Sequence, residues 1–286
     1  MKSYKDARYE QLRKSGAHAL EGEELRRLQQ TLLEMYLDVQ AVCEENGLTC
    51  FVEGGTTLGT VRHQGFIPWD DDLDMGLLRD DYEKLKAIFR EKLGDKYILN
   101  APNYEGKPTN RFPKILKKGT RFVEAGIPED ERSCIKIDIF PLDNCPDNPV
   151  VRLLKGLCCT FLMFAGGHVL SWEMCRTLKA KPGRREVIGM LFSFCSSEKW
   201  FNWSDRACRH GNNRSRDLCI PTGRKHYFGE IYPRNVVEPF RDAVFEGHTV
   251  KTAANTDYVL TNLYGSYMEI PPEEKREKHY IDRIEF

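Results

Sequence analysis

Apolar residues at Leu25, Leu28, Leu32, Met35, Tyr36, Val39, Val42 and Cys43 fall three and four positions apart. That spacing predicts one buried face of an amphipathic helix, which Asn46-Gly47 brings to an end. The short apolar run from Leu48 to Val52 reads as a buried strand and Glu53-Gly54-Gly55 as a tight turn. Thr56 to Arg62 reads as the next helix, with the threonine suited to cap its first amides. Leu73 to Leu78 predicts a second strand, and Asp80 and Asp81 suit the first turn of a helix through Phe89. Strands are also expected at Tyr97 to Leu99, Phe112 to Leu116 and Arg121 to Val123. Ile135 to Phe140 alternates apolar and polar residues, the pattern of a half-buried strand. Beyond Pro141 the character changes: 150 to 210 looks mainly helical, 211 to 240 is loop-rich, and a last helix near Asp257 to Tyr264 stops at Gly265. The expected architecture is α/β, with a mixed β-sheet core and flanking helices over 21 to 145. A helical, loop-rich half follows over 146 to 286, all in one domain after a polar segment, 1 to 20. No internal repeat interrupts it.

Composition narrows the function. Forty-one per cent apolar and 30% charged residues describe an ordinary globular chain. The 43 basic residues balance 43 acidic ones, so no nucleic-acid partner is expected. Ten cysteines occur without a CxxC pair in a chain of 286 residues, long enough to build a core without disulfides. With a polar amino terminus that lacks an apolar segment, they read as reduced thiols in the cytoplasm. The run from Gly156 to Leu170 is the longest weakly charged apolar stretch, at 15 residues. A bilayer span needs about 20, so a buried helix is expected, with a shallow membrane-contacting helix as the alternative.

Chemistry concentrates between Glu53 and Asp81, EGGTTLGTVRHQGFIPWDDDLDMGLLRDD. Residues two apart on a strand point the same way. Asp72 and Asp74 on a strand would therefore hold their carboxylates side by side, with Leu73 packed behind them. Such a pair repels unless a positive group sits between, and Mg²⁺ is the natural occupant because it shares hard oxygen ligands with substrate phosphates. Gly54, Gly55 and Thr56 join a strand to a helix start, where backbone amides can approach a phosphate closely. Asp138, between Ile137 and Ile139 on a separate strand, is awkward to bury without a metal or a base role.

A glycine turn, a DxD strand and a third acid on a neighbouring strand resemble the nucleotidyltransferase superfamily. The wording is closer still to the LicD family, related to fukutin-type enzymes. The residues that carry this are GGTTLGTVRHQGFIPWDDDLDMG, Asp81-Tyr82, Lys114 with Thr120, KIDIFPLD from Lys136 to Asp143, Phe245-Glu246-Gly247, Leu263-Tyr264-Gly265, Tyr267-Met268, Pro271-Pro272 and His279. The similarity runs from about Leu25 to His279. It departs at Thr252-Ala253, where a Val-Pro type pair is expected, and is loose over 150 to 225. The resemblance implies a nucleotidyltransferase-like sheet in which Asp72 and Asp74 are metal ligands and Asp138 is the third acid. It also implies Mg²⁺, with Mn²⁺ as an alternative, and transfer of phosphocholine or a similar phospho-alcohol from CDP-choline or a related donor. The acceptor would be a hydroxyl of a cell-surface glycan or glycolipid precursor, made on the cytosolic side with optional peripheral contact to the inner membrane face. Transfer of a polyol phosphate or a nucleotidyl group, or a non-catalytic nucleotide-binding relative, remain alternatives.

Other residues carry two readings each. Asp70 falls on the face of Asp72, as an outer ligand or a turn organiser, whereas Asp71 faces away and reads as structural. Asp70, Asp72 and Asp74 also match a calcium loop's first positions, but Met75 stands where glycine is needed and Asp81 where glutamate is. Arg62 is placed on a donor phosphate or in a surface ion pair, Lys114 near the donor phosphates, and His63 in a capping or solvated role. Trp69 is expected to stack on cytosine, face a quaternary ammonium, or pack. The spacing of Cys208, His210, Cys219 and His226 matches no zinc pattern. His279 anchors the carboxy-terminal segment or touches ligand.

Overall fold

The computed structural model describes residues 16–105, 108, 110–211, 214–276 and 279–286. Its longer helices are α1 (Gly22–Glu45), α2 (Gly54–His63), α3 (Arg79–Leu93), α4 (Pro149–Thr177), α5 (Arg184–Phe192), α6 (Ser197–Arg209) and α7 (Thr256–Tyr264). The strands are β1 (His18–Ala19), β2 (Cys50–Val52), β3 (Asp74–Leu78), β4 (Tyr97–Asn100), β5 (Lys114–Lys117), β6 (Arg121–Glu124), β7 (Lys136–Cys145), β8 (Asp217–Cys219), β9 (Ile231–Pro233), β10 (Arg241–Phe245), β11 (His248–Thr252) and β12 (Tyr280–Glu285).

The apolar stripe of α1 is buried from Leu25 to Cys43. It packs in one core with Leu73, Met75 and Leu77 of the β3 segment and with Ile135, Ile137 and Ile139 of the β7 segment. That burial orders the central sheet, whose strands run β2-β3-β7-β5-β4, with β8 and then β9 added along the far end of β7. β3 and β7 are parallel and the other pairs antiparallel, so the sheet is mixed. β7 lies in the middle with a strand on each side, which is where an aspartate on it acquires neighbours from both.

Two fastenings position the acidic segment. Glu246, at the β10–β11 turn, accepts from the Phe66 amide at 3.1 Å and pairs with Arg26 of α1 at 2.7 Å. A side chain at Gly65 would collide with that carboxylate, so the glycine before Phe66 is needed for the approach. At the other end of β3, Arg79 is buried and forks onto Asp143 of β7 at 2.8 and 2.9 Å. Its remaining amino group donates to Asp205 of α6 at 2.8 Å, tying the helical half to the sheet.

Several expectations shift. β3 begins at Asp74, so Asp72 lies in the loop before it rather than on the strand. The cap of α2 is Glu53 at its extended backbone position, not Thr56. The predicted buried helix at Gly156 to Leu170 is the middle of the 29-residue α4, and only 33% of its most apolar stretch is buried. By length and composition alone that helix is long and apolar enough to cross a membrane. The β10–β11 hairpin, β8–β9, and the strands β1 and β12 that pair in a sheet with the expected β6 were not expected from the pattern. All ten cysteines are free thiols.

Asp143 is fully buried, so removing its partner leaves an uncompensated charge. Arg79→Met should cost about 3–5 kcal/mol of unfolding free energy, measured by urea denaturation; a midpoint equal to wild type would contradict this reading of the pair.

Candidate active site

The sheet register assembles the site. Asp74 of β3 pairs with Asp138 of β7, and Asp138 pairs with Lys114 of β5. Residues in register share a face, so one row across three strands carries two carboxylates and an ammonium. The Asp138 amide donates to Leu73 O at 3.0 Å, extending the ladder one residue and keeping Asp72 beside the row. Leu73 itself is fully buried on the opposite side.

The glycine turn is part of the same construction. Gly54 opens α2 with φ at +52°, and a Cβ there would lie 2.8 Å from Asp74 Oδ2. Only glycine both adopts that backbone and admits the carboxylate. Thr56 accepts from the Asp74 amide at 2.8 Å, so its hydroxyl anchors the acidic strand. Gly55 lies against Asp70, whose Oδ2 would stand 3.4 Å from an added Cβ.

Crowding dominates the electrostatics. Burial, then the charges of Asp138 and Asp71, pushes Asp72 up to about 6. Asp74 is raised well above its usual value by burial and then by Asp72 and Asp138. Asp70 is raised likewise by burial, Asp72 and Asp71. Behind them, burial and Glu230 push Glu53 up to about 8. Lys114 Nζ lies 3.0 Å from Asp138 Oδ1 and donates to Oδ2 at 3.3 Å. Oδ1 is buried and, despite that ionic contact, accepts no hydrogen bond. Hard oxygens crowded this way, one of them without a hydrogen bond, are the ligand type a divalent cation takes, although among the described residues the donor atoms that lie within 4.8 Å of one another are those of Asp71, Asp72 and His279.

Asp71 does not face away. It accepts from His279 at 2.7 Å, and Asp71, Asp72 and His279 present donor atoms within 4.8 Å of one another. The Asp71 hydrogen bond pushes His279 up to about 9, which favours the protonated ring in the metal-free protein. His279 anchors the carboxy-terminal segment through Asp71 and lines both cavities of the site.

Asp72 and His279 lie where two cavities meet. The larger, about 520 Å³, is lined by Gly55, Arg62, Trp69, Asp74, Arg224 and Tyr264 among others. The smaller, about 130 Å³, holds Lys114, Lys136 and Asp138. Lys114 thus opens on the smaller cavity. Arg62 lines the larger one, where it donates to Tyr267 O at 2.8 Å and to His63 at 2.9 Å. Trp69 carries the Arg276 guanidinium over its ring at 4.2 Å. Tyr264, pushed up by burial and Asp74, joins Arg224, Glu53 and Glu230 as groups whose place near the acids was not anticipated. Tyr264 stood in a motif, but nothing in its spacing pointed to Asp74. Cys208 and Cys219 are buried with Cys145, Cys159 and Tyr227, whereas His210 is exposed and His226 meets Phe164 edge to face. Among the described residues they form no metal group.

The LicD/FKTN/FKRP nucleotidyltransferase domain matches residues 47–146, the stretch from the start of β2 to just past β7. The chain carries a LicD-family domain. Lipopolysaccharide cholinephosphotransferase LicD of Haemophilus influenzae is 26% identical over 267 residues, covering 90% of this chain and 96% of that protein. Human ribitol 5-phosphate transferase FKRP is 44% identical over 43 residues, 15% of this chain and 9% of that protein; the mouse protein matches to the same extent.

The raised carboxyls predict a pH signature. Folded Asp72 binds its proton more tightly than the unfolded chain, so its contribution to stability is full below about pH 3.8 and is lost as pH rises through about 6. Metal-free protein should lose thermal stability across that window. At about pH 8, Asp74→Asn should raise the metal-free Tm by about 3–6 °C. Added Mg²⁺ should raise the Tm of wild type but not of the variant; equal responses would count against the cation site.

Proposed function

We propose that this LicD-family chain transfers phosphocholine, or a similar phospho-alcohol, from a CDP-linked donor to a hydroxyl of a glycan or glycolipid, using Mg²⁺ at Asp72, Asp74 and Asp138. The observation that carries this is the row Asp74–Asp138–Lys114, with Asp72 beside it, at the junction of two cavities. The similarity over 90% of the chain to a lipopolysaccharide cholinephosphotransferase supports the choice of group.

The larger cavity falls in the size range of small-molecule and cofactor sites, and its Arg62, Arg224, Lys275 and Arg276 suit a nucleotide diphosphate. Trp69 and Tyr264 add aromatic surface for the base. The acceptor hydroxyl oxygen forms a bond to the terminal donor phosphorus, the bond from that phosphorus to the CMP oxygen breaks, and CMP leaves with the electron pair. The hydroxyl proton passes to a carboxylate oxygen of Asp138, which lines the smaller cavity beside Lys114. Lys114 orients Asp138 from the neighbouring strand. A bound Mg²⁺ would neutralise charge on the transferred phosphate and its leaving oxygen.

Polyol phosphate is the second reading. The Arg276 guanidinium lies over the Trp69 ring at 4.2 Å, on an aromatic face that a quaternary ammonium would use, which favours a neutral polyol over a cationic choline. A panel of CDP-choline and CDP-ribitol, scored for CMP release with Mg²⁺, separates the two; release of pyrophosphate would replace both with nucleotidyl transfer. Asp72→Asn and Asp74→Asn should each reduce transfer below about a tenth of wild type, a loss above about 1.4 kcal/mol of barrier stabilisation. Retention of more than that by a folded variant would remove the assigned ligand role.

A further inference from the structure

We infer that α4 and α5 form a docking surface for an anionic lipid bilayer, lying flat on it. On α4, Val150, Leu154, Leu157, Phe161 and Phe164 recur four and three positions apart, so they form one stripe. All five are exposed, Leu154 by 62% and Leu157 by 53%. The opposite stripe, with Cys159, Met163 and Val169, is buried in the protein. Phe161 meets Phe192 of α5 edge to face at 5.7 Å, joining the two helices into one plate. On the α5 side Leu191 and Phe194 are exposed by 68% and 72%.

Charge decides what covers the plate. Between residues 150 and 194 there are seven Lys and Arg but two acids, Glu173 and Glu186. Both acids are engaged internally, Glu173 with Ser197 and Glu186 with Ser171 and the Gly183 amide. Five of the cations, Arg176, Lys179, Lys181, Arg184 and Arg185, gather at the α4–α5 connection and are exposed. An apolar face bordered by lysine and arginine is the pattern of a helix that lies in the interface of an anionic bilayer. A crossing helix would have to leave its buried stripe, which packs on α6 through Gly166 against Phe201.

The plate also approaches the larger cavity: Phe164 meets His226 edge to face at 5.2 Å, two residues along the chain from Arg224, which lines that cavity. A lipid-linked acceptor held in the bilayer would then lie on the side of the molecule that carries Arg224. That consequence rests on the transfer reading; the docking itself does not.

Flotation of the full chain with vesicles tests the docking without reference to activity. Wild type should float with vesicles of phosphatidylcholine and phosphatidylglycerol in equal parts, and weakly with phosphatidylcholine alone. The pair Leu154→Asp and Leu157→Asp, and separately Lys181→Glu with Arg184→Glu, should each lower the partition by at least about tenfold. These positions are exposed, and circular dichroism with the thermal midpoint checks that folding is unchanged. No flotation, or equal flotation of wild type and the folded variants, would overturn the inference. So would a wild-type dimer that the Leu154 and Leu157 changes dissociate, which would make a second copy the occupant. Binding indifferent to salt and to alkaline carbonate would overturn it in favour of a spanning helix.

Discussion

Asp72, Asp74 and Asp138 stand so close that their charges oppose one another, and burial sharpens the opposition by removing water. Isolated, such a cluster would drive the strands apart or stay protonated. The protein instead invests its most rigid parts in holding it together. A parallel pairing fixes Asp74 against Asp138, and an antiparallel one brings a single lysine to the far side. One ammonium in contact with one of three carboxylates leaves the cluster crowded with acid, and the proposed divalent cation would relieve it.

The supporting features make sense from that requirement. Gly54 lets the Asp74 carboxylate rest against the start of α2, and Thr56 ties the Asp74 amide to the same helix. Glu246 pins the loop before the acids to α1, while Arg79 locks the far end of β3 to β7 and α6. The carboxy-terminal segment closes the arrangement through His279, which meets Asp71 at the rim where the two cavities join. Each of these contacts joins residues far apart in sequence, so the site is a property of the tertiary structure and not of a single loop.

Much of this was legible in the chain, for reasons that differ by element. The helix α1 and the strand β7 announce themselves because one face of each is buried and the other is not, which writes a period into the residues. Asp74 and Asp138 were identifiable because a carboxylate flanked by core residues needs a reason. Asp71 was misplaced because strict alternation was extended into a segment that is loop, where a side chain is free to turn toward His279. Tyr264, Glu53 and Arg224 approach the acids only through packing between distant elements, which periodicity does not encode. The exposure of α4 was missed because an apolar run gives no sign of whether protein or something else covers it.

The role of a divalent ion is the point on which the chemistry turns. Anomalous scattering from crystals grown with Mn²⁺ measures it most directly. The expected map has a peak within bonding distance of oxygens from Asp72, Asp74 and Asp138. A well-ordered cluster with no peak among those three carboxylates would contradict it.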